Sequence, residues 1–443
     1  MKTESRYSGK ILHELLVLPV LLVGIWESVY GLLQVLGSVR SRHALYALTG
    51  HFDNPGPFGG MVALCMAVAG AYLLHHNKKI ISWFAAICLL TGLLVLPASM
   101  SRAAWLALVV ALIPAVLRDD RVRRWLSARR WVLPVLVAAS VLLLAGMVAL
   151  KPESALGRLH IWRIEARAMA SNPLGTGRGT VLGAYGDAQE AFFREHLGSV
   201  SAAVVKVAGC PEYAFNEYLR AGVEYGFPGI AIFTAVIALA LLSLVRSGSP
   251  LSCGLGAWAV FAFFSYPLST PMLCGALIYL LVCSAILAPL PPVWKAVPML
   301  VAAAFSFLLW TRGTEYPPFR TLYDTGYSLF QEGRYEEALV PLSEGAAISS
   351  DPMFEIISGR CHEALGQAET AAASYVKAHY MVPCRLYPLQ RLMLLQLSCG
   401  NDAAALQTGR TILSMPVNER HLTMMRLREE TIASLDSLIK TGR

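Results

Sequence analysis

The stretch ILHELLVLPVLLVGIWESVYGLLQVL, from Ile11 to Leu36, decides how this chain folds. A helix needs roughly 20 apolar residues to cross the hydrocarbon core of a bilayer, and this run exceeds that. It follows Lys2, Arg6 and Lys10, as the apolar part of a signal peptide would. It is too long for one, and no small-x-small cleavage site follows, so it reads as a membrane span. Lipid cannot satisfy exposed backbone amides, which leaves a helix as the form such a run takes.

Comparable runs continue along the chain at Phe58–Leu74, Ile80–Leu96, Ser99–Leu117, Trp131–Leu150, Phe227–Val245, Leu251–Tyr266, Pro271–Leu287 and Val293–Trp310. That makes about nine expected spans in an all-α, polytopic bundle. The composition agrees: 56% of the 443 residues are hydrophobic and 15% are charged, against about 25% charged in ordinary soluble domains. The formal charge of +8 would suit a nucleic-acid partner, but the basic residues sit in short clusters between apolar runs. That distribution excludes a phosphate-gripping surface and orients a membrane protein instead. The nine cysteines contain no C-x-x-C pair, and Cys65, Cys88, Cys253, Cys274 and Cys283 lie in apolar runs, so they read as small buried side chains.

Arg118, Arg121, Arg123, Arg124, Arg129 and Arg130 crowd one connection; His75, His76, Lys78 and Lys79 crowd another. If the spans alternate, Arg246 and Lys295 fall on the same side. The positive-inside rule then puts these loops and the N-terminus in the cytoplasm, outweighing Arg40 and Arg42 on the other face. The connection from Lys151 to Gly226, and everything after Trp310, are expected in the periplasm. A connection that long is usually functional.

Past residue 310 the chain turns amphipathic. Gly333, Gly366 and Gly400 recur at offsets of 33 and 34 residues, each followed by an alanine, Ala338, Ala371 and Ala405. That period, and the segment YDTGYSLFQEGRYEEAL, resemble the tetratricopeptide repeat, a helical hairpin that buries its apolar face by stacking on the next. The expected organisation is a membrane domain over residues 1–310, with the loop at 151–226, and a helical repeat domain over 311–443 that presents a surface to a protein partner.

The chain has no Walker loop, no H-E-x-x-H, no paired Cys/His metal spacing and no G-x-S-x-G. Asp119 and Asp120 sit inside the arginine cluster and read as a solvated loop. The informative polar residues fall on the expected outer side. Arg102, in PASMSRAAW, opens the fourth span, and an arginine close to hydrocarbon marks a functional candidate, or else snorkels to the interface. A second group runs GRLHIWR from Gly157 to Arg163, through Arg167, to NPLGTGRG at Asn172–Gly179. Guanidinium groups stay charged and donate in a planar fork, which suits phosphate oxygens. The third group, Asn216, Glu217, Arg220 and Glu224, has helical spacing of three and four; it suits either ordinary ion pairing or a general base.

Taken in order, Ser101-Arg102, Gly157-Arg158 with Trp162, Asn172–Gly177, and Asn216 before Gly226 and Gly229 are similar to the O-antigen ligase and polymerase-related family. The segment TGHFDNP at Thr49–Pro55 resembles that family's Gly-x-Phe-x-Asn-Pro turn. The likeness covers roughly Leu32 to Leu244. It implies transfer of a glycan from undecaprenyl diphosphate to a hydroxyl on a glycan, lipid or protein, on the periplasmic face and without metal or other cofactor. In that scheme Arg102 and Arg158 stabilise the departing diphosphate, with Arg163 in reserve and Trp162 nearby. Glu217, Glu224, His160 or water takes the acceptor proton, while Asn216 and Arg220 position the substrate. One departure stands out: Phe215 occupies a position where the ligases often carry histidine. A non-catalytic membrane scaffold presenting the repeats is the competing reading.

Overall fold

The computed structural model describes residues 2–76, 78–129, 152–288, 318–415 and 422–440, with scattered positions between 131 and 146 and between 291 and 307. The expected spans Trp131–Leu150 and Val293–Trp310 lie mostly outside the described residues. Among those described, the chain is helical and contains no strand. It divides into two compact units. The first comprises residues 1–150, 215–218 and 230–314; the second comprises 151–214, 219–229 and 315–443.

In the first unit the helices are α1 (Lys2–Val35), α2 (Pro55–His75), α3 (Lys79–Val95), α4 (Arg102–Arg118), α5 (Asp120–Ala128), α9 (Glu217–Arg246) apart from its residues 219–229, α10 (Leu251–Phe264) and α11 (Pro271–Ile286). Ile11–Val35, Pro55–His75 and Glu217–Arg246 are long and apolar enough to cross a membrane, and α3, α10 and α11 are shorter apolar helices. Among the described residues this gives three long candidates and three shorter apolar helices.

Helix α2 is the hub, packed against α1, α3, α4 and α10. Its sequence, PGPFGGMVALCMAVAGAYLLH, is rich in small residues and almost entirely buried. Three neighbours approach it through a glycine: a Cβ on Gly24 of α1 would stand 2.5 Å from Cys65, one on Gly92 of α3 would stand 2.5 Å from Met66, and one on Gly254 of α10 would stand 2.6 Å from Val68. Lipid is as apolar as a leucine side chain, so helices in a bilayer associate by close packing of small residues rather than by escaping water. The outward faces keep large apolar groups, among them Trp26, Ile80, Trp83, Leu90, Ile232 and Leu239.

The second unit holds α6 (Pro152–Ser171), α7 (Val181–His196), α8 (Ala202–Val207) and a stack of helical hairpins: α12 (Pro318–Gln331) with α13 (Tyr335–Ile348), α14 (Met353–Ala364) with α15 (Ala368–Met381), and α16 (Tyr387–Ser398) with α17 (Asp402–Ser414), closed by α18 (Leu422–Lys440). Gly333, Gly366 and Gly400 stand in the left-handed region at φ 77°, 75° and 71°, turning each hairpin. The loop and the tail are one unit, a different partition from the boundary at 310. Helix α7 lies on α13 and α15. Its Gly183 admits the Ala347 carbonyl so closely that a Cβ would stand 2.0 Å from that oxygen. Arg320 pairs with Glu212 at 2.8 Å, and Ser350 Oγ donates to the Pro211 carbonyl at 3.0 Å.

Candidate active site

Within the second unit, α6 turns His160, Ile164, Glu165 and Ala168 inward. His160 is 4% exposed and packs against Phe192 and Phe193. Its Nε2 meets Gln189 Oε1 at 2.9 Å, and since that amide oxygen can only accept, the proton sits on Nε2. Burial lowers the His160 pKa. Gln189 is a junction: Tyr185 donates to the same oxygen at 2.5 Å, while the amide nitrogen donates to the carbonyls of Gly209 and Met381. Among the candidate residues, Arg158 and Trp162 are half-buried on α6, and Arg163 is exposed with its guanidinium 4.8 Å from the centre of the Phe192 ring. Arg167 lies over the same ring and pairs with Glu195.

The glycines at 175, 177 and 179 all have positive φ. They bring backbone to backbone: Thr176 N donates to the Val223 carbonyl at 2.9 Å, Gly177 N to the Glu224 carbonyl at 3.0 Å, and Phe227 N to the Pro173 carbonyl at 2.9 Å. The partner segment of this contact, in α9, breaks helical geometry at Gly226 (φ 69°, ψ −164°), where a Cβ would stand 2.1 Å from the Pro173 oxygen. One turn earlier, Arg220 Nε donates to the buried Glu224 carboxylate at 3.1 Å. The helical spacing read from the sequence thus produces an i,i+4 ion pair.

In the first unit, one end gathers the other candidates. Ser101 Oγ donates to the Gly56 carbonyl at 3.4 Å, and a Cβ on Gly59 would stand 2.8 Å from Ser101 Cβ, which joins the start of α2 to the start of α4 and Arg102. Asn54 caps α2 by accepting from Gly56 N at 3.0 Å, with Pro55 opening the helix. Asn216 is 2% exposed and accepts from Tyr218 N at 3.0 Å. Glu217, equally buried, accepts from Leu268 N at 2.8 Å and so holds the 3-10 turn Pro267–Ser269. Phe215 stands edge-on to Tyr266, with ring centres 5.3 Å apart.

Two non-glycine residues among those described have positive φ: Met100 at 52° and Phe215 at 55°. One precedes Ser101-Arg102, the other precedes Asn216-Glu217. Side chains in this region are strained, and such strain collects at functional sites.

Glu27 and Gln34, which stand in no motif read from the sequence, also occupy this end, with His51 of the Thr49–Pro55 turn. Glu27 lies in α1 and is fully buried; its Oε1 meets His51 Nδ1 at 2.7 Å and its Oε2 accepts from His51 N at 3.2 Å. Gln34, two turns along α1, accepts from the amides of Thr49 and Gly50 at 2.9 and 2.7 Å and donates to the Gly50 carbonyl at 3.1 Å. The signal was available: an acidic residue inside an apolar run is a functional candidate by default.

Residues 84–234 match the family model described as O-antigen ligase. The match covers about a third of the chain and contains Arg102, Arg158, His160, Trp162, Arg163, Asn216, Glu217, Arg220 and Glu224. Over this segment the chain is similar to the O-antigen ligase family. No curated protein and no solved structure matches it. The apolar helices agree with a multi-pass membrane protein, and the matched segment with a glycosyltransferase-like role in general.

Proposed function

We propose that the protein transfers a glycan from undecaprenyl diphosphate to a hydroxyl acceptor at the periplasmic face of the inner membrane. The observation that carries this reading is the coincidence of backbone strain with the family segment: Met100 and Phe215, the two left-handed non-glycine residues described, both lie within residues 84–234 and directly precede its polar motifs. In the proposed reaction the acceptor oxygen attacks the anomeric carbon and charge builds on the departing diphosphate. Arg102 and Arg158 meet that charge; fixed donors in a water-poor groove are the largest stabilising element such a step can have. The hairpin stack, with turn glycines 33 and 34 residues apart, is read as a tetratricopeptide-like array that offers a surface to a protein partner or acceptor.

The test is complementation of a deletion strain with Arg102→Ala or Arg158→Ala, followed by mass spectrometry of the lipid-linked glycans. The expected result is a pool of undecaprenyl-linked donor and loss of the product, with the protein inserted normally. Lysine at either position should rescue poorly, since a point charge does not replace a bidentate fork. The scaffold reading is favoured by one observation, Phe215 at the position of the ligase histidine. An unchanged glycan profile in both alanine variants would establish it in place of transfer.

A further inference from the structure

The transferase reading leaves the acceptor proton without a convincing destination. His160 is buried and committed to Gln189, Glu224 is bonded to Arg220, and Glu217 holds the Leu268 amide. Each of these groups is occupied in organising its surroundings.

The Glu27–His51 pair is arranged differently. A carboxylate can only accept, so the 2.7 Å contact fixes the His51 proton on Nδ1 and leaves Nε2 with its lone pair. No described residue occupies Nε2. The His51 side chain is 26% exposed while its partner carboxylate is fully enclosed. The ring stacks on Tyr30 with centres 3.9 Å apart, and Trp26 lies beyond at 6.0 Å. Arg42 donates to the His51 carbonyl at 2.9 Å, and Gln34 grips the two residues before it, so backbone and ring are both fixed.

The loop that carries His51 also runs against the candidate end of the first unit. A Cβ on Gly50 would stand 2.3 Å from Phe58 and 2.6 Å from Glu27 Oε2, while Gly59, next along α2, abuts Ser99 and Ser101. A continuous line of contacts therefore joins His51 to the Ser101-Arg102 motif. Glu27 lies eight residues before the end of α1, about 12 Å down the helix at 1.5 Å per residue. A carboxylate at that depth is costly unless a partner or a function retains it.

We infer that His51 is the general base of the proposed transfer and that Glu27 is its positioning residue. The inference rests on the transferase reading above. The acceptor O–H bond breaks and its proton passes to His51 Nε2 as the acceptor oxygen bonds to the anomeric carbon. The bond from that carbon to the diphosphate oxygen breaks, and its electron pair leaves with the diphosphate. Nδ1 keeps its proton toward Glu27, whose charge supports the imidazolium until water removes the proton from Nε2. The relation of base to orienting carboxylate is the one that recurs wherever a histidine activates a hydroxyl.

The experiment uses membranes of a deletion strain complemented with each full-length variant, where the endogenous undecaprenyl-linked glycan and acceptor are both present. Donor consumption is followed with and without added imidazole. His51→Ala should slow it about 100-fold or more, within the range for loss of a general base, and added imidazole should restore part of the rate. Glu27→Gln should cost less, about tenfold, and Glu27→Asp, which keeps the carboxylate, should recover part of that loss. If His51→Ala inserts poorly, the Glu27→Gln and Glu27→Asp pair decides alone. Wild-type turnover in His51→Ala, loss without imidazole rescue, or a Glu27→Asp variant no faster than Glu27→Gln would each overturn the dyad. Arg102→Ala keeps that failure separate: if it is inactive while His51→Ala is not, transfer stands without this base, and if both turn over normally the transferase reading falls too.

Discussion

The two units spend polar side chains in opposite ways. In the second, polar residues are abundant and mostly build the fold: Gln189 joins four positions, Lys377 pairs with Asp187 and Glu355, and Arg385 spans Asp351 and Cys210. In the first they are scarce, and cohesion comes from small residues around α2. Against that background Glu27, Gln34, His51 and Arg102 stand out. Water tolerates a polar side chain that serves only packing, whereas lipid does not. A polar residue among apolar helices therefore carries more functional information than the same residue in the loop and tail.

The sharpest way to break this contrast is chemical. Arg102→Ala should reduce transfer about 100- to 1,000-fold, the scale of losing one strong oxyanion donor, with no change in the amount of inserted protein. Near-normal turnover would mean that polarity at the membrane end is structural as well.

Two packing variants test the other half. Gly183→Val places a side chain against the Ala347 carbonyl and should destabilise the second unit by about 3 kcal/mol, exposing the tail to trypsin in the detergent-solubilised full chain. Gly24→Val, against Cys65 and Cys88, should cost about 2 kcal/mol in the first unit, read as a lower melting temperature. Equal sensitivity of both units to either variant would show that they melt together.

His379 provides a pH test confined to the second unit. It is 6% exposed, its Nδ1 lacks a hydrogen-bond partner among the described residues, and burial lowers its pKa to about 4. The folded pKa lies below the unfolded one, near 6.5, so the unfolded chain binds the extra proton. Stability is intact above about pH 6.5, falls as pH drops toward 4, and is flat below. At pH 5 the loss should be about 2 kcal/mol, and His379→Leu should remove the slope in thermal melts. The smallest effect is expected at Arg320, half-exposed beside Glu212; Arg320→Ala should change stability by less than about 0.5 kcal/mol.

Much of the architecture could be read without coordinates. The run at Pro55–His75 is apolar on every side and becomes the buried hub, and the glycines that recur at 333, 366 and 400 fall at the hairpin turns. The spacing of Arg220 and Glu224 announced their ion pair. The glycines at 175 and 226 each stood in a quoted motif, but nothing marked them as partners of one another. The pairing of Glu27 with His51 was not legible because each belongs to a different local pattern, one to a span and the other to the Thr49–Pro55 turn, and no period links them.

Local rules thus sufficed for what depends on neighbours in the chain: helices from apolar runs, turns from left-handed glycines, caps from Asn54 and Asn216. Tertiary structure alone decided which distant groups share a proton, which helix end carries the strain at Met100 and Phe215, and that the tail folds onto α7. The physical reason is that hydrogen bonding and close packing act over a few ångströms of space, and a contact across 24 residues leaves no periodic trace in the residues between.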